Sequence, residues 1–179
     1  QISTYADGSY SQNFVDAQGN HVSLQSNANT NNVLSIETSG TNSSGTLKQN
    51  ETLQINSDHS KVDDLKNLNS DGTTQNEQIA TIQTNGQVSV AMSGIGGIAN
   101  VNNANISFAA GATATVNGTG NILNVSNQTV TVTESGSANT LNISGTSVTT
   151  TVTGTGTAVN VSGWKDIITG SQSARWYLL

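Results

Sequence analysis

Asparagine is the residue of this chain whose type and spacing most clearly allow a chemical modification. In the sequence Asn-x-Ser/Thr its side-chain amide nitrogen is the acceptor for N-linked glycans on exported proteins. Eight asparagines have this context: Asn42, Asn50, Asn105, Asn117, Asn124, Asn127, Asn142 and Asn160. The abundance of Asn, Ser and Thr would alone produce about six such sequences. Glycans are therefore predicted as a candidate partner.

Residues suited to catalysis or metal binding are few. His21 and His59 lie far apart in polar segments, and Asp63-Asp64 is typical of a charged surface. His59 with Asp58 and Asp63 matches no recognised ligand spacing, and the chain has no Cys. The sequence thus predicts no catalytic site, no metal site and no cofactor, and the protein is predicted not to be an enzyme.

Composition narrows the range of partners. Asn, Ser, Thr and Gly make up 90 of the 179 residues, and the formal net charge is −6 with only five Lys and Arg. This balance argues against nucleic acid and anionic membranes as partners. No apolar run is long enough for a transmembrane helix. Low charge without Pro is not typical of disorder, and alternation of Val and Ile with polar residues favours β-strands.

An 18-residue repeat occupies the C-terminal half. Three units align without a gap, 118–135, 136–153 and 154–171, and they open with Gly118, Gly136 and Gly154. A turn with positive φ is expected at each of these glycines. Each unit contains two short strands, so the sequence predicts an all-β fold with β-solenoid repeats. The alternative that stays open is a β-sandwich with strand donation between subunits.

Two details of the repeat carry further predictions. Asn103, Asn121 and Asn139 are expected to stack at one turn and to form a side-chain hydrogen-bond ladder. The preceding unit, 100–117, is one residue out of register at Ile106, which predicts a one-residue β-bulge.

Charge divides the chain into three segments. Residues 1–77 are predicted to form an irregular β region with a polar loop or short helix at 57–72. Residues 78–171 form a nearly uncharged β-repeat region, and residues 172–179 form an apolar C-terminal strand or cap.

Six threonines recur at equal repeat positions as Thr-x-Thr pairs: Thr113 and Thr115, Thr131 and Thr133, Thr149 and Thr151. On a solenoid they would form a flat outward grid. Such a grid resembles the ice-binding face of β-solenoid antifreeze proteins. The high β-propensity of Thr would also account for the pattern without any binding role.

Large apolar residues cluster at both ends of the chain. They are Ile2, Tyr5, Tyr10 and Phe14 at the N-terminal end, and Trp176, Tyr177, Leu178 and Leu179 at the C-terminal end. Such segments either cover the last rung of their own core or add a strand to the sheet of a neighbouring subunit. These residues are therefore the candidate subunit contacts.

Two of the repeat units suggest a family. Residues 118–126 and 136–144 read GTGNILNVS and GSANTLNIS. This spacing resembles the Gly-x-x-Asn-x-Ala-x-[Ile/Val] half-repeats of curlins, which are secreted subunits that stack as β-solenoids in biofilm fibres. The resemblance covers residues 118–171, and it implies export and fibre formation from copies of the chain.

The leading hypothesis is an extracellular structural protein, the subunit of a pilus-like cell-surface filament or biofilm fibre assembled through inter-subunit β-strand pairing. The alternative is a monomeric adhesin or ice-binding β-solenoid that uses the Thr-rich face, and a segment of a phage or cell-surface fibre is a third possibility. Because the chain opens at Gln1 rather than Met, signal-peptide removal and an extracellular or cell-surface location are expected.

Overall fold

Seventeen strands and no helix make up the part of the chain described by the computed structural model, namely residues 2–6, 9–15, 21–27, 33–39, 47–56, 58–170 and 174–178. The all-β prediction is confirmed. The chain divides into two units, Gln1–Gly86 and Gln87–Leu179. The first is an antiparallel meander and the second is a β-solenoid.

Seven strands form the meander, and each pairs antiparallel with the next along the chain. They are β1 (Ile2–Thr4), β2 (Tyr10–Val15), β3 (His21–Asn27), β4 (Val33–Ser39), β5 (Leu47–Ile55), β6 (Lys61–Leu68) and β7 (Thr74–Ile82). Register shifts occur between Thr38 and Ser39 and between Asn67 and Leu68, and the unit extends to Gly86.

The structure corrects the prediction of a loop or short helix at 57–72. Strand β6 occupies this segment, between two turns with the related sequences Asn-Ser-Asp-His-Ser and Asn-Ser-Asp-Gly-Thr. In each turn the Asp accepts hydrogen bonds from the backbone N–H and the hydroxyl of the residue two positions later. The intervening residue, His59 or Gly72, has positive φ. Asp58 therefore shapes a hairpin turn and does not cap a helix.

Burial is shallow among the meander side chains that the structure describes. Among its described side chains, Asn76 alone is buried. Apolar residues of its strands, such as Phe14 and Ile82, remain about 40% exposed. A sheet of this kind gains little hydrophobic stabilisation from its own side chains, because that stabilisation scales with the apolar area removed from water.

Ten strands form the solenoid, and they alternate between two parallel sheets. They are β8 (Val88–Asn100), β9 (Ala104–Phe108), β10 (Thr113–Asn117), β11 (Ile122–Val125), β12 (Thr131–Glu134), β13 (Thr140–Ile143), β14 (Thr149–Val152), β15 (Ala158–Val161), β16 (Ile167–Gly170) and β17 (Arg175–Leu178). The first sheet joins the start of β8 with β9, β11, β13, β15 and β17. The second sheet joins the end of β8 with β10, β12, β14 and β16.

Register confirms the predicted repeat. Leu123 pairs with Leu141 and then Val159 in the first sheet, at a spacing of 18 residues. The coil makes about five turns between residues 88 and 170, which establishes the β-solenoid over the sandwich.

Alternate residues of every rung point into a narrow core between the two sheets. The inward columns consist mainly of Val, Ile, Leu and Ala, and Ile106, Leu123, Val132 and Leu141 are fully buried. Stacking at a rung spacing of about 4.8 Å places each of these side chains directly against its equivalents. The 18-residue repeat in the sequence therefore reflects the stacking of like side chains in these columns.

The shift in register at residues 100–117 has a different origin from the predicted bulge. Ile106 pairs with Leu123, 17 residues later, without any bulge in strand β9. The following corner, 109–111, has one residue fewer than the equivalent corner, 126–129. A bulge does occur one rung earlier, where Gly96 is the extra residue of β8 opposite β10.

Glycine is favoured at the corners of the solenoid for two separate reasons. Of the three glycines that open the repeat units, only Gly118 has positive φ, and left-handed backbone instead recurs at Gly120, Ala138 and Gly156. At Gly136 a Cβ atom would overlap the carbonyl oxygen of Gly118 in the rung before it. Close approach between stacked corners, rather than backbone conformation, therefore requires glycine at that column.

Candidate functional surfaces

The structure brings the six predicted threonines together. They form two columns on the outer surface of the second sheet, with Thr113, Thr131 and Thr149 in one column and Thr115, Thr133 and Thr151 in the other. Isoleucine or threonine continues each column at its ends: Ile95 and Ile167 in the first, Ile98 and Thr169 in the second. We call these ten residues the threonine face.

Two properties set the threonine face apart. All ten residues are uncharged, and the three isoleucines are 60–64% exposed to solvent. The rungs from β10 to β16 pair without a register shift, so both columns are continuous over those rungs. An exposed, uncharged surface with apolar side chains at its ends is suited to contact with another surface.

The outer surface of the first sheet carries an asparagine ladder. Asn142 donates from Nδ2 to Asn124 Oδ1 at 3.0 Å, and Asn160 donates in the same way to Asn142 at 2.9 Å. Each amide thus satisfies its neighbour one rung away, so this surface is already hydrogen-bonded within the chain.

These hydrogen bonds bear directly on the predicted glycan acceptors. In Asn142 and Asn160 the amide nitrogen that a glycan would occupy is the donor of the ladder. Asn117 and Asn127 also donate from Nδ2, to Asn100 Oδ1 at 2.7 Å and to the Phe108 carbonyl at 2.6 Å. A glycan at any of these four positions would replace one of the two hydrogens on a nitrogen that already donates within the fold.

The other asparagines in predicted glycan-acceptor sequences lie in different environments. Asn124 accepts a ladder bond through Oδ1 and is exposed. Asn105 lies on β9 and Asn50 on β5, and both are half-buried. Asn42 lies outside the described residues.

The apolar termini fall in separate units. Ile2 lies on β1, Tyr10 and Phe14 lie on β2, and Tyr5 follows β1 with its hydroxyl 3.3 Å from Ser11 Oγ. At the other end, Trp176, Tyr177 and Leu178 form most of β17, which pairs with β15. Leu179 lies outside the described residues. The predicted C-terminal strand therefore forms and extends the first sheet by one rung.

A buried polar cluster lies at the corner that follows the second sheet. Asn121 and Asn139 are 1% exposed, and each accepts through Oδ1 from a backbone N–H of the preceding rung, at 3.0 and 2.7 Å. Their Nδ2 atoms donate to the carbonyl oxygens of Val101 and Gly118. The ladder therefore joins side chains to backbone. Asn103 is not part of it, because its place in the column is taken by Ala104.

Glu134 completes this cluster. Its carboxylate is fully buried and accepts from Gly136 N at 2.6 Å, Asn139 Nδ2 at 2.5 Å and Thr157 Oγ1 at 3.2 Å. Because Gly154 has no side chain, there is room beside it for both oxygens of the Glu134 carboxylate. Sequence reasoning missed this role, although one charge in a long neutral stretch is the signal that could have revealed it.

Comparison with known proteins gives no further guide. No protein-family model matches the chain, and no curated protein or solved structure shows significant similarity to it. Within the described residues there is no helix long and apolar enough to cross a membrane. In the same part of the chain, no three His, Asp or Glu side chains are grouped as metal ligands would be.

The meander contains a pair of interacting carboxyl groups, Glu51 on β5 and Asp63 on β6. Partial burial raises the pKa of both, and the neighbouring negative charge of Asp63 raises the pKa of Glu51 further. On the opposite face Lys66 forms ion pairs with Asp64 at 3.0 Å and Glu77 at 3.1 Å, so these two carboxylates share one positive charge.

We expect the meander to become more stable as the pH falls below neutral. A carboxyl whose folded pKa is raised destabilises the fold while ionised, and this loss is recovered as the pH falls through the folded pKa towards the ordinary values of 4.5 and 3.8. Since both groups are largely solvated, the gain should stay below about 1 kcal/mol. Amide hydrogen exchange of β5–β7 at pH 7 and pH 5 measures it. Glu51→Gln should reduce the difference, and equal protection at both pH values in the wild type would contradict the expectation.

Proposed function

We propose that this protein is a non-enzymatic, extracellular structural protein, the subunit of a cell-surface filament or biofilm fibre in which copies join by β-strand pairing. The observation that carries the proposal is the regular parallel rung stack, which ends in strands of the same geometry as its interior. Export and fibre formation are also what the curlin-like spacing of residues 118–171 implies.

The last rung has a defined hydrogen-bonding edge. Ile167 N donates to the Val148 carbonyl and Arg175 N to the Thr157 carbonyl, so these residues bond back to the preceding rung. Alternate residues of a parallel strand bond to opposite sides. The N–H groups of Ile168, Gly170, Trp176 and Leu178 therefore point towards the outer edge, where a further strand would add.

The contacts between neighbouring rungs inside the solenoid indicate how strongly an added strand would bind. Inside the solenoid each added rung continues apolar columns such as Leu123, Leu141 and Val159, together with backbone hydrogen bonds. A strand from a second copy would gain both kinds of interaction at once. The preceding rungs carry little charge, because Glu134 is the only charged residue between Gln78 and Trp164 and its carboxylate is buried, whereas the last rung carries Lys165, Asp166 and Arg175.

Gly170→Pro is the variant that tests strand pairing. Proline removes the outward N–H of an edge strand and leaves the inner hydrogen bonds intact, so folding should be little changed. We expect the native protein and the matched control Gly170→Ala to form regular filaments in negative-stain electron microscopy at neutral pH and low salt. Gly170→Pro should give dispersed particles with an unchanged circular dichroism spectrum and melting temperature.

Two results would overturn the proposal. One is a field of single particles for the native protein under conditions in which its solenoid is folded. The other is filament formation by Gly170→Pro equal to that of Gly170→Ala, which would show that the outer edge of the last rung takes no part in assembly.

A second candidate function is that of a monomeric adhesin or ice-binding protein acting through the threonine face. The observation that favours it is the regular two-column grid of threonines on one sheet. Inhibition of ice recrystallisation by dispersed protein would distinguish this role from that of a filament subunit.

A further inference from the structure

The threonine face has a symmetric sequence along the solenoid axis. From β8 to β16 its first column reads Ile95, Thr113, Thr131, Thr149, Ile167. Reversing the order of the rungs leaves this column unchanged. A twofold axis that lies in the plane of the contact, parallel to the strands and level with Thr131, would therefore bring each residue of this column against a chemically matching residue of a second copy.

Self-complementarity extends to the exposed apolar groups. In this arrangement Ile167 of one copy meets Ile95 of the other, with Ile98 beside them, at both ends of the contact. These side chains are 60–64% exposed in the single chain, so the pairing would remove substantial apolar area from water. The threonines between them have β-branched side chains of one size, which pack well between flat sheets.

Charge also favours a second copy. The chain has a net charge of −6, which opposes self-association, yet all ten residues of the threonine face are neutral. The opposite sheet differs, because its ladder asparagines bond to each other and Arg175 lies at its end. Of the two solenoid surfaces, the threonine face is thus the one suited to contact between like chains.

We propose that the threonine face is a lateral contact between copies of this chain, paired face to face with the rung order reversed. Five rungs about 4.8 Å apart and strands about 15 Å long give roughly 300 Å² on each copy, well below the approximately 800 Å² per partner of a stable interface. A single pair is therefore weak. Pairing becomes stable when many faces act together along two filaments, and in this respect the inference rests on the proposed function.

Lysine substitutions on the two solenoid surfaces test the lateral contact. Thr149→Lys places a charge on the threonine face, and Thr140→Lys places the same charge on the outer surface of the first sheet in the same rung. We expect paired or bundled filaments from the native protein and from Thr140→Lys, and single filaments from Thr149→Lys. Bundling that Thr149→Lys leaves unchanged would overturn the inference.

Cross-linking makes the test independent of filament formation. The native chain has no Cys, so Thr131→Cys introduces one thiol on the expected twofold axis, and Thr140→Cys is the matched control. A short bis-maleimide should join Thr131→Cys into dimers at high protein concentration, at a yield well above that of the control. Reactivity of both thiols is calibrated with a single-headed maleimide.

The outcomes separate the two proposals. Filaments without bundles and without preferential cross-linking would overturn the lateral contact and leave the filament subunit intact. Cross-linking without any filament would retain the face-to-face contact and overturn the filament role. Dispersed protein that inhibits ice growth, with Thr149→Lys inactive and no cross-linking, would assign the face to ice and overturn the lateral contact.

Discussion

Gly136→Ala is expected to lower the free energy of unfolding of the solenoid by about 3 kcal/mol or more, which is the upper range for overpacking in a close-packed interior. The added Cβ would overlap the Gly118 carbonyl oxygen, and Asn139 Nδ2 lies close on the other side. Relief requires the two corners to separate, which would break the backbone contacts that stack one rung on the next. Chemical denaturation followed by circular dichroism measures the loss.

Gly156→Ala is the matched control for this prediction. Gly156 has positive φ, but a Cβ there would have no neighbour closer than Ala138 N at 3.9 Å. Ala138 already occupies the equivalent position of the rung before with φ of 52°. The cost of Gly156→Ala should therefore be about 1 kcal/mol, the strain of one left-handed residue. If the two variants lose equal stability, the close approach of the corners is not what requires glycine at position 136.

Asn139→Ala is expected to destabilise the solenoid by about 3–5 kcal/mol. Its side chain satisfies the buried Asn121 N–H, the Gly118 carbonyl and the Glu134 carboxylate together. The Asn121 N–H would lose its partner at a cost of about 1–3 kcal/mol, and the Gly118 carbonyl and the Glu134 carboxylate would each lose one hydrogen bond at about 1 kcal/mol while keeping those from Ser137 N, Gly136 N and Thr157 Oγ1. Thermal and urea denaturation of the variant give the difference in free energy.

Asn142→Ala provides the comparison, because it removes the same side chain three residues away. Asn142 lies in the outer ladder, where solvent can replace the bonds to Asn124 and Asn160. The expected loss is about 0.5–1 kcal/mol, which is the ordinary net value of an intramolecular hydrogen bond. A loss for Asn142→Ala as large as that for Asn139→Ala would contradict the assignment of the buried cluster as the stabilising one.

The two ladders have different consequences for modification of the protein. Outer-ladder asparagines lie in glycan acceptor sequences, whereas Asn121 and Asn139 do not. A glycan on Asn142 would be attached to a nitrogen of the outer ladder and would crowd glycans on Asn124 and Asn160 at a spacing of about 4.8 Å. A glycan on the outer ladder would lie on the sheet opposite the threonine face, whereas a glycan on Asn117 would lie on the same sheet as that face, at the end of β10.

Sequence by itself determined the all-β class, the 18-residue repeat and the grouping of the six threonines, and it favoured a solenoid over the sandwich that the strand register then excluded. Those features follow from periodicity alone, because a column such as Leu123, Leu141 and Val159 must recur at the rung length for like side chains to stack. Alternation at period two then indicated which residues point outward, so the six threonines could be predicted as one outward group, whereas the strand register added Ile95, Ile98, Ile167 and Thr169.

Tertiary structure decided what depends on contacts between rungs and strands. The sequence of 57–72 has apolar residues at helical spacing, yet pairing with β5 and β7 makes it a strand. Asn103 resembles Asn121 and Asn139 in sequence. The 109–111 corner is one residue shorter than its equivalent, however, so Ala104 and not Asn103 lies in the column of Asn121 and Asn139. The burial of Glu134 and the need for glycine at position 136 arise where one corner lies against another. Distances between residues 18 positions apart decide these features, and no local pattern of residue types encodes them.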